Sequence, residues 1–139
     1  MDMNQQFKTI KLERTMCYGT CLVYLVSIHY SGRVTYTGKD WVKKTGRHIW
    51  KLDSKSIDKL SKALLKSDYF NLKKEEGMVW CTDMPFCITT IEMMDGTKRK
   101  IEHYLQEPDE WPKALLRFEK QIDKIIGVKN YVGDENVLE

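Results

Sequence analysis

Two short glycine turns constrain the fold of this chain more than any other feature. Ser31-Gly32 and Asp95-Gly96 each separate two stretches in which apolar and polar residues alternate, 22–30 from 33–37 and 86–94 from 98–105. A two-residue turn with glycine between two alternating stretches is typical of a β-hairpin. The sequence therefore predicts two hairpins, and a hairpin makes its two strands antiparallel.

Helical spacing of apolar residues follows each hairpin region. Asp53 or Ser54 can cap a helix that runs to about residue 66. A second helix is predicted to open at Pro108-Asp109, with Asp109 as its cap and Pro112 in its first turn. The apolar stripe of this second helix consists of Trp111, Leu115, Phe118, Ile122 and Ile125.

These elements predict a single α+β domain. The 139 residues, 42% of them hydrophobic, suffice to build one core, and no stretch rich in Pro, Gly or Ser divides the chain. We predict an antiparallel sheet of about five to six strands with two helices packed on one face, in the order strands, helix, hairpin, helix. The domain spans 1–139, with an ordered core of about 7–132 and a frayed acidic tail.

The bulk charge argues against two classes of partner. The 23 basic and 20 acidic residues leave a net charge of only +3, which predicts no nucleic-acid partner, because such proteins carry a concentrated basic face. No apolar stretch reaches the length of a membrane span, and the polar first residues lack the apolar core of a signal peptide. We therefore expect a cytoplasmic protein without a membrane partner, whose cysteines are thiols or metal ligands rather than structural disulfides.

Four cysteines stand in two pairs, and each pair frames a turn. Cys17 and Cys21 flank a tight turn, and Cys81 and Cys87 flank a second loop. The four thiolates could bind zinc, or a pair could form a redox-active disulfide, although neither spacing is the two-residue spacing of zinc knuckles. The first interpretation is that no cofactor is present and that the cysteines pack as small apolar residues, with zinc as the alternative.

A third interpretation makes the protein a cysteine-dependent hydrolase or transferase. Cys17 or Cys21 would be the nucleophile, His103 the base and Asp83 the orienting group. Nothing in the sequence brings these residues together, and His103 alternates with apolar neighbours like a core residue. The chain is therefore expected not to be an enzyme.

The favoured interpretation is a small non-enzymatic module that binds a protein or a small molecule. The 17–21 turn and the 82–85 loop would form its surface, since exposed aromatic residues near loops are typical of partner-binding sites. The candidate binding residues are Tyr18, Gly19, Trp41, Trp80, Asp83 and Pro85.

The same motifs carry a family resemblance. Cys17-Tyr18-Gly19-Thr20-Cys21, followed by a strand and the Ser31-Gly32 turn, resembles a bacterial family of uncharacterised proteins built around a C-Y-G-x-C-P motif. Weaker similarities at 82–85, 101–104 and 115–123 extend the resemblance over about 10–126. Leu22 stands where that family usually has proline. The resemblance implies a shared α+β fold and no particular activity.

Overall fold

The chain folds into one antiparallel sheet and a layer of helices. The computed structural model describes residues 6–14, 23–40, 42–73, 85–104 and 112–132. The strands in these segments are β1 (Phe7–Arg14), β2 (Val23–His29), β3 (Arg33–Asp40), β4 (Gly46–Lys51), β5 (Pro85–Met93) and β6 (Lys98–Tyr104). The helices are α1 (Ser54–Ser67), α2 (Lys113–Ile126) and the single turn α3 (Lys129–Val132), with a 3₁₀ turn at Tyr69–Asn71. The predicted α+β class is confirmed.

The strand order across the sheet is β4-β3-β2-β1-β5-β6, and every neighbouring pair is antiparallel. Both predicted hairpins are confirmed, as β2–β3 and β5–β6. Their turns contain Gly32 at φ 104° and Gly96 at φ 92°, a conformation that favours glycine. β1 lies between β2 and β5, and this leaves β4 and β6 as the two edge strands.

An irregularity in β1 brings its first residue onto the core side. The β1–β5 register shifts between Phe7 and Thr9. Without the shift, Phe7 would point away from Ile10, because side chains alternate along a strand. Instead Phe7, Ile10 and Leu12 are all fully buried. Strict alternation along β1, which would place Phe7 opposite Ile10 and Leu12, therefore fails at this end.

The connection between β3 and β4 is short, because β3 continues to Asp40 and β4 begins at Gly46. Gly38 pairs with Gly46 across the ladder. A Cβ at Gly38 would lie 2.6 Å from the Tyr36 hydroxyl and would meet the Lys44 carbonyl. The Tyr36 hydroxyl donates to that carbonyl at 2.9 Å, so glycine lets the returning chain approach closely enough for this bond.

The helix ends follow local chemistry, with one departure from prediction. Asp53 caps α1 by accepting a hydrogen bond from the Ser56 amide at 2.8 Å. The second long helix begins at Lys113 and not at Asp109, because Pro112 has an extended ψ of 148° and stands before the first turn. Gly127, at φ 73°, ends α2 in the left-handed conformation.

The core lies between one sheet face and the two long helices, which contact each other along the covered face. Polar side chains cross this layer. The buried Tyr69 hydroxyl donates to the Thr89 carbonyl at 3.1 Å, and the Trp50 indole donates to the Ile126 carbonyl at 3.1 Å. The opposite face carries Ser, Thr and charged residues and remains solvated, as one-sided antiparallel sheets do.

Candidate functional site

The predicted functional segments all attach to one end of the sheet, which we call the loop end. β1 finishes there at Arg14, β2 starts at Val23, and β5 starts at Pro85. β3 and β6 finish there, and β4 starts there, because the sheet is antiparallel throughout. Cα register partners join all six strands in one row near this end: Gly46, Gly38, Tyr24, Arg14, Cys87 and His103.

A buried ion pair lies directly beneath the loop end. Arg14 Nη2 contacts Asp123 Oδ2 at 2.8 Å and so joins β1 to α2. The Tyr24 hydroxyl donates to Asp123 Oδ1 at 2.8 Å and accepts a bond from Arg14 Nε at 3.3 Å. The side chains of Arg14 and Asp123 are only 12% and 20% exposed. The three residues form a closed triangle that fixes α2 against β1 and β2.

Cys87 and Glu119 extend this triangle deeper into the core. Both residues are fully buried, and the Cys87 thiol is hydrogen-bonded to the Glu119 carboxyl. We call Arg14, Tyr24, Cys87, Glu119 and Asp123 the polar cluster. It connects three neighbouring strands to one helix at the position where the cysteine-bearing segments enter and leave the sheet.

Burial is the largest influence on the pKa values of Cys87, Tyr24 and Asp123 in the polar cluster. It raises the pKa of the Cys87 thiol and of the Tyr24 hydroxyl well above their ordinary values. It also raises the pKa of the Asp123 carboxyl, although hydrogen bonds from Arg14 and Tyr24 offset part of the effect. A thiol with a raised pKa is a poor nucleophile at neutral pH, which argues against catalysis by Cys87.

Arg14 keeps its charge inside this cluster. Burial by itself would lower the pKa of the guanidinium, but attraction to the hydrogen-bonded Asp123 carboxylate acts in the opposite direction, and the pKa of Arg14 is raised. The cluster is therefore built around one permanent cation.

A set of aromatic rings anchors the β3–β4 connection next to Trp41. The Trp50 and Tyr131 rings stack with centroids 4.3 Å apart and planes inclined by 6°. The Lys44 amide donates to the Tyr131 carbonyl at 2.7 Å, and the Lys44 ammonium lies 4.9 Å from the centre of the Tyr131 ring. The short helix α3 thus holds one border of the loop end.

Most of the predicted site residues lie outside the described residues. These are Cys17, Tyr18, Gly19, Cys21, Trp41, Trp80, Cys81 and Asp83. Pro85 is the first residue of β5, with Tyr104 as its register partner, and His103 is the partner of Cys87. In the described part of the chain, no three His, Cys, Asp or Glu residues are grouped as they would be around a metal. Of the four proposed zinc ligands, that part includes Cys87.

Sequence reasoning missed Arg14, Tyr24, Glu119 and Asp123. Arg14 and Tyr24 have the ordinary alternation of strand residues. A usable signal existed in α2, where Glu119 lies four residues after Leu115 and therefore on the apolar face. A carboxylate at such a position requires a buried partner.

A family profile described as "Domain of unknown function (DUF6438)" matches residues 8–126. The chain belongs to the DUF6438 family. No curated protein and no solved structure matches the chain.

The DUF6438 match covers both long helices and all six strands apart from Phe7, the first residue of β1, and it ends at Ile126, the last residue of α2. Helix α3, with the Tyr131 ring that stacks on Trp50, lies beyond the matched range. None of the helices in the described segments combines the length and the apolar character needed to span a bilayer.

Proposed function

We propose that this protein is a small binding module that takes a protein or small-molecule partner at the loop end of its sheet. The observation that carries the proposal is the polar cluster. Removing charged groups from water is expensive, and a hydrophobic core of the same volume would often be equally stable. Arg14 and Asp123 therefore make most sense as residues that hold the loop end in a defined geometry, which a binding surface requires.

The topology supports the same location. Four segments are each joined to a strand that begins or finishes at the loop end: 15–22, 41–45, 74–84 and 105–111. They contain the candidate residues Tyr18, Trp41, Trp80 and Asp83. Binding residues are commonly carried by loops on a rigid scaffold, and here a six-stranded sheet and a buried ion pair supply the scaffold.

Site-specific crosslinking tests this proposal. A photo-crosslinking amino acid replaces Trp41 at the loop end, and a matched variant carries it at Tyr30, which is 43% exposed and lies at the opposite end of the sheet. We expect a discrete adduct from position 41 and none from position 30. The purified partner should then bind Trp41→Ala more than about tenfold more weakly at an unchanged melting temperature. Equal adducts from both positions, or unchanged affinity of Trp41→Ala, would contradict the proposal.

A thiol site at the same end is the second candidate, and one observation favours it. Cys17 follows Arg14 by three positions and Cys21 precedes Tyr24 by three, while Arg14 is the register partner of both Tyr24 and Cys87. Three residues extend at most about 10 Å. Chain length therefore permits these thiols to approach one another at the loop end, for metal binding or for disulfide exchange.

The native mass of protein purified without chelator or reductant tests this alternative. A zinc increment that is lost on acidification would support a metal site, and a deficit of two or four protons would support disulfides. The Cys87→Ser variant should keep a Cys17–Cys21 disulfide but lose a site built from all four cysteines. The bare reduced mass would count against both forms of the thiol site.

A further inference from the structure

The two long helices carry the same pattern of positive charge on their outer surfaces. In α1 the exposed cations recur at positions i, i+4, i+7 and i+11, and in α2 they recur at the same intervals. Residues at these intervals share one helix face. The two rows are Lys55, Lys59, Lys62 and Lys66 in α1, and Lys113, Arg117, Lys120 and Lys124 in α2.

Acidic residues do not balance these rows. Both acidic residues of α2, Glu119 and Asp123, are turned toward the polar cluster, and Asp123 is bonded to Arg14. The one acidic residue within α1 is Asp58, which contacts Lys62 at 2.9 Å with both side chains largely exposed. An exposed pair of this kind is weak, so Lys62 remains available to a stronger anion. Among the described residues of this helix layer, the eight exposed cations of the two rows outnumber the exposed Asp53, Asp58 and Asp68, whereas protein surfaces usually mix both signs of charge more evenly.

The net charge of +3 conceals this distribution. Eight of the 23 basic residues stand in the two rows. The prediction of no nucleic-acid partner rests on the sum of the charges, and it stays a prediction. A concentrated basic face is the sequence criterion for such a partner, and the two rows form one.

A groove between α1 and α2 is lined by four lysines of these two rows. Its volume is about 520 Å³, and its cationic lining residues are Lys59, Lys62, Lys66 and Lys124. Ser56 and Gln121 add polar groups, and Ala63 and Ile125 form an apolar floor. The lysine row of α1 extends about 16 Å along the helix axis. The groove thus has three lysines on its α1 side and one on its α2 side.

We propose that the helix layer binds the phosphate backbone of a nucleic-acid duplex, without sequence preference, with one strand of the backbone in the α1–α2 groove. Lysine is a compact point charge that suits phosphate, and the described lining residues include no arginine to read base edges. The same described residues include no aromatic ring on which an unpaired base could stack, which favours a duplex over a single strand.

Other anionic partners fit the surface less well. A membrane-binding helix exposes an apolar face to the bilayer, but the apolar faces of α1 and α2 are packed against the sheet. An acidic protein would need anchor pockets for large side chains, and the floor of the groove offers Ala63 and Ile125 alone. These partners become outcomes of the test.

Fluorescence anisotropy with a labelled 20-base-pair DNA duplex of mixed sequence tests the proposal on the full chain. Each lysine–phosphate contact contributes a slope of about −0.9 to log K against log salt. The four groove lysines therefore predict a slope of about −3.6 between 50 and 200 mM salt. A slope near zero, or no binding at 50 mM salt, would overturn the proposal.

Two charge-matched variants separate the groove from the general charge of the protein. Lys59→Glu with Lys124→Glu alters the groove, and Lys11→Glu with Lys98→Glu alters exposed lysines on the solvated sheet face. With a slope of about −0.9 per contact, one lost contact lowers the binding constant at 0.1 M salt about eightfold, taking 1 M salt as the reference at which the contact contributes nothing. The groove variant loses two contacts, so at 0.1 M salt it should bind roughly 60-fold more weakly. The sheet-face variant should stay within about threefold of the unmodified protein.

Three results would refute the assignment. Equal losses in both variants would mean non-specific attraction to a basic protein. Tighter binding of the single strand than of the duplex would remove the duplex as the partner. Polyglutamate and anionic vesicles should also be compared with unlabelled duplex as competitors at equal charge concentration. If either displaces the labelled duplex as well as unlabelled duplex does, the partner of the groove is an acidic protein or a membrane surface instead. All four substituted lysines are exposed, so circular dichroism should show unchanged folding.

Discussion

Neutralising Asp123 should destabilise the fold far more than neutralising a surface carboxylate with the same ion-pair distance. Asp123→Asn leaves Arg14 buried without its counter-charge, and removal of one partner of a buried pair costs about 3–5 kcal/mol. We expect about 3 kcal/mol, because Arg14 retains 12% exposure and asparagine can still accept one hydrogen bond. Urea denaturation at pH 7 measures this loss, which corresponds to a drop of roughly 10 °C in melting temperature.

The chain provides its own control. Asp58 contacts Lys62 at 2.9 Å, almost the same distance as the 2.8 Å of the Arg14–Asp123 pair, but its side chain is 52% exposed. Asp58→Asn should therefore cost less than about 0.5 kcal/mol. Equal costs for Asp58→Asn and Asp123→Asn would refute the reasoning, because burial would then contribute nothing.

A second substitution identifies the origin of the loss. In Asp123→Asn the loss comes from the Arg14 cation, which is only 12% exposed and has lost its counter-charge, so removing that cation removes the cause. Adding Arg14→Met to Asp123→Asn should then recover at least half of the lost free energy of unfolding. If the double variant is less stable than Asp123→Asn, the isolated charge is not the cause.

Two further predictions concern the same end of the sheet. Burial raises the pKa of Cys87, so the folded state holds this proton more tightly than the unfolded chain, and stability should fall as pH rises above the unfolded value of about 8.5. We therefore compare the free energy of unfolding of Cys87→Ser and of the unmodified protein between pH 9 and 10 under reducing conditions. The free energy of Cys87→Ser should fall less steeply, by up to about 1.4 kcal/mol per pH unit. Equal slopes for the two proteins would contradict this prediction. Gly38→Ala places a methyl group 2.6 Å from the Tyr36 hydroxyl and should lower the free energy of unfolding, measured by urea denaturation, by about 1–3 kcal/mol. An unchanged free energy of unfolding would show that the β3–β4 connection can move aside.

Local chemistry made part of this fold predictable. The two hairpins depend on Gly32 and Gly96, whose positive φ values are a property of adjacent residues. The start of α1 depends on Asp53, three residues before the amide that it caps. Such features need no knowledge of the rest of the molecule, which explains why single-sequence reasoning found them.

Contacts between distant segments were not predictable in the same way. Phe7 is on the core side because of a register shift against β5, a strand that is far away in the sequence. The position of β1 between β2 and β5 is likewise a long-range choice that no local pattern encodes. The sequence predicts too early a start for α2, because proline also fits the first turn of a helix, whereas Pro112 has an extended ψ here.

The candidate site shows the same division. The cysteine segments were recognised by their turn residues, and their role stays a prediction. The polar cluster was missed, because its partners Arg14 and Asp123 are 109 positions apart. Two local signals existed: Arg14 lies two positions after the buried Leu12 and therefore on the core face of β1, and Glu119 is a carboxylate on the apolar face of α2.

The open sheet has two unpaired borders, and their composition bears on how this protein behaves at high concentration. Unpaired strands offer free backbone groups to a second copy, which is a route to aggregation and fibril growth. β6 begins with Lys98, Arg99 and Lys100, and β4 carries Arg47 and Lys51. Two such borders repel each other, so growth of the sheet from molecule to molecule is opposed at both ends. Lysine acetylation or high salt would weaken that protection without changing a single contact inside the fold.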